Sequence, residues 1–181
     1  MNKIPTIFKR NPENMNELLN EQHPDCQWVF DGEGIATKKY DGTCVLIEWD
    51  KSYWKRREVK QNKKAPKCFI SISTDKITGK TVGWVPVDPI DNDNKWHIEA
   101  FDPLLLPGTY ELCGPKIQGN PEGFKKHILI YHETAQQFND VPRNFEGLKQ
   151  WLNNRDIEGI VFHHPDGRMA KIKKRDFGLS R

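Results

Sequence analysis

The apolar and polar positions of this chain fall mostly into short runs. β-Branched and aromatic residues cluster or alternate over 27–30, 35–39, 43–49, 68–73, 82–87, 96–100, 109–113, 127–131, 157–163 and 169–173. These lengths suit strands. Turn-forming pairs punctuate them: Asp41-Gly42, Thr78-Gly79, Pro107-Gly108 and Asp166-Gly167. Two segments read as helices. Residues 13–22 (ENMNELLNEQ) predict a short one, and 144–154 (NFEGLKQWLNN) an amphipathic one whose Phe145, Leu148 and Leu152 share a face. Many strands with few helices predict an α+β fold built on antiparallel sheet. No internal repeat, Gly/Ser linker or low-complexity stretch interrupts the 181 residues, so a single domain over 1–181 is expected.

Composition narrows the class. Charged residues make up 29% and hydrophobic ones 36%, with no run of eighteen apolar residues, so a soluble protein with no membrane partner is expected. The opening MNKIPTIFKRNPENMNELL has no long apolar core and does not read as a signal peptide, which makes a cytoplasmic, intracellular location the expectation. Cys26, Cys44, Cys68 and Cys113 are far apart and form no CxxC pair, and the last three sit in strand-like runs. They are expected to be buried, reduced thiols. His127, His132, His163 and His164 lack zinc-site spacing; His132 and His163 read as pocket-lining or satisfied strand residues.

The net charge is only +3, but it is unevenly spread. Residues 51–67 (KSYWKRREVKQNKKAPK) are dense in Lys and Arg, with Glu58 their single carboxylate, and 171–175 (KIKKR) form a second basic cluster. A localised positive surface suits phosphates. The plainer reading is a solvated charged face.

The segment that carries chemistry is 35–47, IATKKYDGTCVLI. An Asp-Gly pair between two strands is ordinarily a hairpin turn. A lysine at the end of the first strand, Lys39, is equally placed to attack the α-phosphate of a nucleotide. An amine is a nucleophile only when deprotonated, and lysine's reference pKa is about 10.4. Such a reaction therefore needs cations, and a metal on the triphosphate, close by. Lys171 and Lys173 lie two apart on a predicted strand, hence on one face. They could neutralise the α-phosphate and the departing pyrophosphate.

On these residues the chain resembles the covalent nucleotidyltransferase superfamily of ATP-dependent ligases and mRNA capping enzymes. More closely, it is similar to the 5′–3′ RNA ligases whose members include a vertebrate RNA ligase. The resemblance rests on KYDGTC (39–44), GWVPV (83–87), ELCGPKIQGNPEG (111–123), KKHILIYH (125–132), IEGIVFHHPDG (157–167) and AKIKKRDFGL (170–179), in the family's order. It implies a nucleotidyltransferase domain with ATP in a groove between antiparallel sheets. Lys39 would be the adenylylated residue, with Lys38 beside it among the nucleotide-binding residues. Asp41 would hold the ribose side or orient the lysine. Arg56, with Arg57 as the alternative, would contact the sugar, and Glu111 would grip the ribose. Glu158 would help place a divalent metal, Mg²⁺ or Mn²⁺. Lys171 and Lys173 would face the α-phosphate, and Tyr131 falls where ligases often set an aromatic against adenine; a core or sheet-face tyrosine is the plainer reading. Glu111 and Glu158 both lie in apolar strand contexts, where a charge is costly unless paired.

The resemblance implies ATP-dependent joining of RNA 5′-phosphate and 3′-hydroxyl ends. Eight residues follow Lys173, which leaves no room for the OB domain typical of DNA ligases and capping enzymes. A minimal ligase core gripping RNA through its basic clusters is therefore expected. The alternatives are a DNA-end ligase, a capping-type guanylyltransferase, and a nucleotide- or RNA-binding module that forms no covalent bond.

Overall fold

The computed structural model describes residues 4–76 and 78–181. In chain order the strands are β1 (Phe8–Arg10), β2 (Leu18–Gln22), β3 (Ile35–Lys39), β4 (Thr43–Ile47), β5 (Tyr53–Val59), β6 (Ile70–Thr74), β7 (Thr81–Pro86), β8 (Gly108–Cys113), β9 (Ile128–Tyr131), β10 (Gln137–Phe138), β11 (Gly159–His163) and β12 (Met169–Lys173). The helices are α1 (Gln27–Phe30), α2 (Lys95–Ala100) and α3 (Phe145–Asn153). The fold is mixed α+β, with antiparallel sheets and few helices. No helix among the described residues is long and apolar enough to cross a membrane.

Three local readings are corrected. Residues 13–22 do not form a helix. The side chains of Asn11 and Asn14 accept from the backbone amides of Glu13 and Asn16, at 3.0 and 3.2 Å. Such local bonds compete with helical ones, and the chain turns into β2, which pairs with β1. Residues 27–30 are helical rather than extended: the ring of His23 accepts from the amide of Asp25, Pro24 follows it, and the turn runs into α1. Residues 96–100 lie in α2, led in by Asp91, whose carboxylate accepts from the amide of Asp93 at 2.9 Å. Strands also form outside the predicted runs, at β1, β10 and β5; the last is a central strand between β4 and β7 despite its Lys-Arg-Arg core.

The described chain divides into two compact units. One holds Ile4–Tyr40 and Ala135–Arg181. Its main sheet runs in the order β10-β3-β11-β12. Ile160, Phe162, Ala170 and Ile172 are fully buried on one face, packed with Ile7, Val29, Leu148 and Leu152. Each large apolar side chain buried in this way contributes about 1.5–3 kcal/mol. The helix α3 starts at Asn144, whose side chain accepts from the amide of Gly147 at 2.8 Å, and presents Leu148, Trp151 and Leu152 to that core. Residues 5–7 run beside β12, exchanging backbone bonds with Lys171 at 2.9 and 3.0 Å, and so cover its edge. The guanidinium of Arg143 donates to the carbonyls of Val29, Glu33 and Gly34, fixing the approach to β3.

The second unit spans Asp41–Thr134. Its six-stranded sheet has the order β6-β7-β5-β4-β8-β9. Val45, Ile47, Tyr53, Val87, Tyr110 and Leu112 form the core on one face. Consecutive strands β3 and β4 belong to different sheets, so Asp41-Gly42 is not a hairpin turn. Gly42 serves a close approach instead: a Cβ there would stand 2.3 Å from the carbonyl oxygen of Leu112.

Candidate active site

The first group of predicted residues lies in the unit built on β3, β11 and β12. In the register, Lys39 pairs with Gly159, and Gly159 with Lys173. The two lysines therefore flank a residue without a side chain on the same sheet face, opposite the one that buries Ile160 and Ile172. Glu158 precedes Gly159 and meets both: Lys39 Nζ donates to its Oε2, and Lys173 Nζ to its Oε1 at 2.8 Å. The site is largely enclosed, with the side chains of Lys39, Lys173 and Glu158 only 21, 13 and 13% exposed. Burial alone would raise the Glu158 carboxyl, but the two ammonium groups outweigh it and hold the group below the usual glutamate range. The end of β12 is itself anchored: the amide of Lys173 donates to Asp176 at 3.0 Å, and buried Asp176 is paired with Arg10 at 2.6 Å.

Lys171 lies two residues from Lys173 on the same face, in register with Val161, which pairs with Thr37. Thr37 is a residue that the sequence reading passed over. Its hydroxyl donates to the carbonyl of Val161 at 3.2 Å and contacts His163 Nε2 at 3.0 Å. Its signal is legible: it stands two residues before Lys39, hence on the lysine's own face. Lys38 goes the other way. It pairs with Ile160 of the apolar face, and its ammonium sits 4.8 Å from the centre of the Tyr40 ring, so it does not join the lysine pair on Glu158.

The second group lies in the unit built on β4, β5, β8 and β9. Glu111 pairs with Cys44 and with Ile130. The ring of His132 bridges two β8 side chains, with Nε2 at 3.1 Å from Glu111 Oε2 and Nδ1 at 2.9 Å from the hydroxyl of Thr109. Strand alternation separates the two arginine candidates. Arg56 falls on the face of Glu111, whereas Arg57 has the opposite parity, that of the core residue Tyr53. Alternation also places Tyr131 away from Glu111. It pairs with Tyr110, stacks on that ring with centroids 4.8 Å apart, and donates its hydroxyl to the Pro107 carbonyl at 3.3 Å. Ile130, not Tyr131, is the β9 neighbour of Glu111 on its face, and Tyr131 belongs to the sheet's apolar packing. The amide of Asp41 donates to Glu122 at 3.4 Å, a contact without a sequence signal because Glu122 sits in a long loop after β8.

Other expectations meet the structure as follows. None of the four cysteines is in a disulfide; Cys26 and Cys113 are buried and Cys44 is half-buried, but Cys68 is exposed, at a left-handed backbone position (φ 58°) before β6. Among the described residues no three His, Cys, Asp or Glu side chains assemble as a metal set. Glu158 supplies the one carboxylate of this cluster and the two ammonium groups cannot ligate a metal, so an ion carried in on a triphosphate would take its other oxygen ligands from water and substrate phosphate, as Mg²⁺ typically does.

The sequence model of the RNA ligase 1 family matches residues 103–181, a stretch that contains Glu111, Glu158, Lys171 and Lys173. RNA ligase 1 of Pongo abelii is 29% identical, over 80% of this chain and 67% of its own. The Rattus norvegicus protein of that name is 27% identical, over 90% of this chain and 72% of its own, and that of Danio rerio 25%, over 80% and 67%. The first of these alignments runs over 223 positions, longer than the 181-residue chain, so the relative carries insertions. The family model thus covers the stretch from just before β8 to Arg181, and the relatives align over 80–90% of the chain, so the chain is similar to RNA ligase 1 proteins.

Proposed function

We propose that the protein is an ATP-dependent RNA ligase of the covalent nucleotidyltransferase type, working through a lysyl-AMP at Lys39. The observation that carries this reading is the convergence of Lys39, Glu158 and Lys173 on one face of a rigid sheet. In the first step Lys39 Nζ attacks the α-phosphorus of ATP. The N–P bond forms, the bond from that phosphorus to the bridging oxygen breaks, and pyrophosphate leaves with the electron pair as the amine gives up a proton. Lys173 and Lys171 supply fixed positive charge for the phosphate oxygens, where positioned charge lowers the barrier most. Glu158 would hold the Mg²⁺ or Mn²⁺ that enters with the triphosphate, and that ion would neutralise phosphate charge.

In the second step AMP passes to an RNA 5′-phosphate, which frees Lys39. In the third a 3′-hydroxyl attacks the activated phosphate, a phosphodiester forms, and AMP leaves. Asp41, Arg56 and Glu111 are assigned to the nucleotide sugar by the resemblance. RNA rather than DNA as substrate is supported by the names of the relatives. The test is incubation with α-labelled ATP or GTP and a divalent metal, followed by intact mass and by sealing of matched RNA and DNA ends. Label from ATP on Lys39, passed to RNA, is the expected result. Label from GTP alone marks a capping-type enzyme, equal sealing of DNA ends a general ligase, and no label a binding module.

A further inference from the structure

Glu111 does not stand alone in its sheet. It is only 13% exposed, in a strand whose neighbouring positions are buried, and a carboxylate in such a place needs a partner. The partner is His132, one residue past the end of β9. A carboxylate accepts only, so the nitrogen facing it, Nε2, carries the proton. In the neutral ring Nδ1 is then an acceptor, and the Thr109 hydroxyl, 2.9 Å away, donates to it. Thr109 and Glu111 are two apart on β8, on one face, and the imidazole spans that gap. Both ring nitrogens are therefore committed, the ring cannot turn over without losing two bonds, and Oε2 of Glu111 is held in one place. The other oxygen has no such tether to His132.

We infer that His132 is a positioning residue: it fixes the rotamer of Glu111 so that the other carboxylate oxygen meets a hydroxyl of the nucleotide sugar, with the carboxylate setting the ring's tautomer and Thr109 holding its far nitrogen. This rests on the proposed role of Glu111 in nucleotide binding. It predicts which nitrogen matters. Glutamine places its amide nitrogen near the position of Nε2 and can still donate to Glu111; asparagine reaches only as far as Nδ1 and cannot.

The test measures KM for ATP and kcat of lysyl-adenylate formation in the full chain. His132→Ala is expected to raise KM about tenfold, as coupled polar neighbours do, with kcat changed much less. His132→Gln recovers most of the loss and His132→Asn does not. In a Glu111→Ala background, His132→Ala adds nothing further. Nitrogen-15 spectra of the wild-type histidines, read without any turnover, show the Nε2–H tautomer for His132. An adduct that forms with unchanged KM in His132→Ala overturns this inference alone, as do additive losses in the double variant or an Nδ1–H tautomer. Absence of any adduct in the wild-type chain overturns the reading of Lys39, and this inference with it.

Discussion

Lys39 and Glu158 stand 119 positions apart in sequence and meet as an ion pair, because Lys39 pairs with Gly159 in the register of β3 and β11 and Glu158 immediately precedes that glycine. An alanine has no amine to form the bond to phosphorus on which the proposed covalent chemistry rests. Lys39→Ala should therefore abolish the mass gain of one AMP that the proposed mechanism predicts after incubation with ATP and Mg²⁺. Glu158→Gln keeps the shape of the side chain and removes its charge, and adenylylation should fall by about a hundredfold, the scale of one lost electrostatic contributor. An adduct in Lys39→Ala, found by intact mass, sinks the assignment of the nucleophile.

Lys171 and Lys173 share a face but not a partner. Lys173 is held on Glu158, while Lys171 lies one row along, level with Thr37 and Val161. In the proposed mechanism both would act on charge that develops during transfer, so their loss should slow chemistry more than it weakens ATP binding. Lys171→Ala should cut the single-turnover rate of adenylylation by at least about a hundredfold. Lys171→Arg should not restore it, since the planar guanidinium is larger than an ammonium and spreads its charge. Wild-type rates in Lys171→Ala would remove the residue from the site.

Stability should show an acid limb traceable to His97. The ring is buried in α2 with neither nitrogen hydrogen-bonded, near Tyr53 and the charged Lys55. Burial, and then the Lys55 ammonium, pull its pKa from 6.5 down to about 4. The unfolded chain thus takes up a proton below pH 6.5 that the folded chain refuses until about 4. The contribution of neutral His97 is complete above 6.5 and is lost progressively as pH falls to about 4. Urea midpoints measured across that range should decline in the wild type and decline less in His97→Leu. Equal slopes in the two proteins would clear His97 of the effect.

The legible parts of this protein were those where local pattern and tertiary placement agree. Met169–Lys173 alternates buried Ala170 and Ile172 with lysines, and the strand is where the pattern puts it, with Lys171 and Lys173 on one face. In the same way Phe145, Leu148 and Leu152 mark α3. Misreadings arose where local rules conflict. Trp28 and Val29 favour strands by type, yet a capped turn from His23 starts a helix there. The run from Lys55 to Arg57 looks like solvent-facing charge, yet pairing on both sides makes it a central strand. Register was out of reach: nothing in the sequence says that Tyr131 faces Tyr110 while Ile130 faces Glu111. A shift of one residue would exchange those faces.

The basic stretches also divide once their side chains are placed. In 171–175, Lys173 is tied to Glu158, and buried Lys174 donates to the carbonyl of Arg155 at 2.8 Å. In 51–67, Lys55 is committed to Asn94, whereas Lys60, Lys63, Lys64 and Lys67 are all exposed in the β5–β6 connection. Those four are the expected sequence-independent contacts to RNA phosphate. Four such contacts on a single strand give a salt slope of about −3, so raising salt from about 50 to 200 mM should weaken RNA binding roughly fifty-fold. Self-adenylylation needs no polymer and should fall far less over the same range. Replacing the four lysines with glutamine should flatten the slope for sealing and leave lysyl-AMP formation near wild type. A DNA strand offers the same phosphates, so an RNA preference must come from contacts to the 2′-hydroxyl and should survive these changes. If the two activities fall together with salt, or if sealing keeps its slope in the four-lysine variant, the connection is a solvated charged surface and the grip on RNA lies elsewhere.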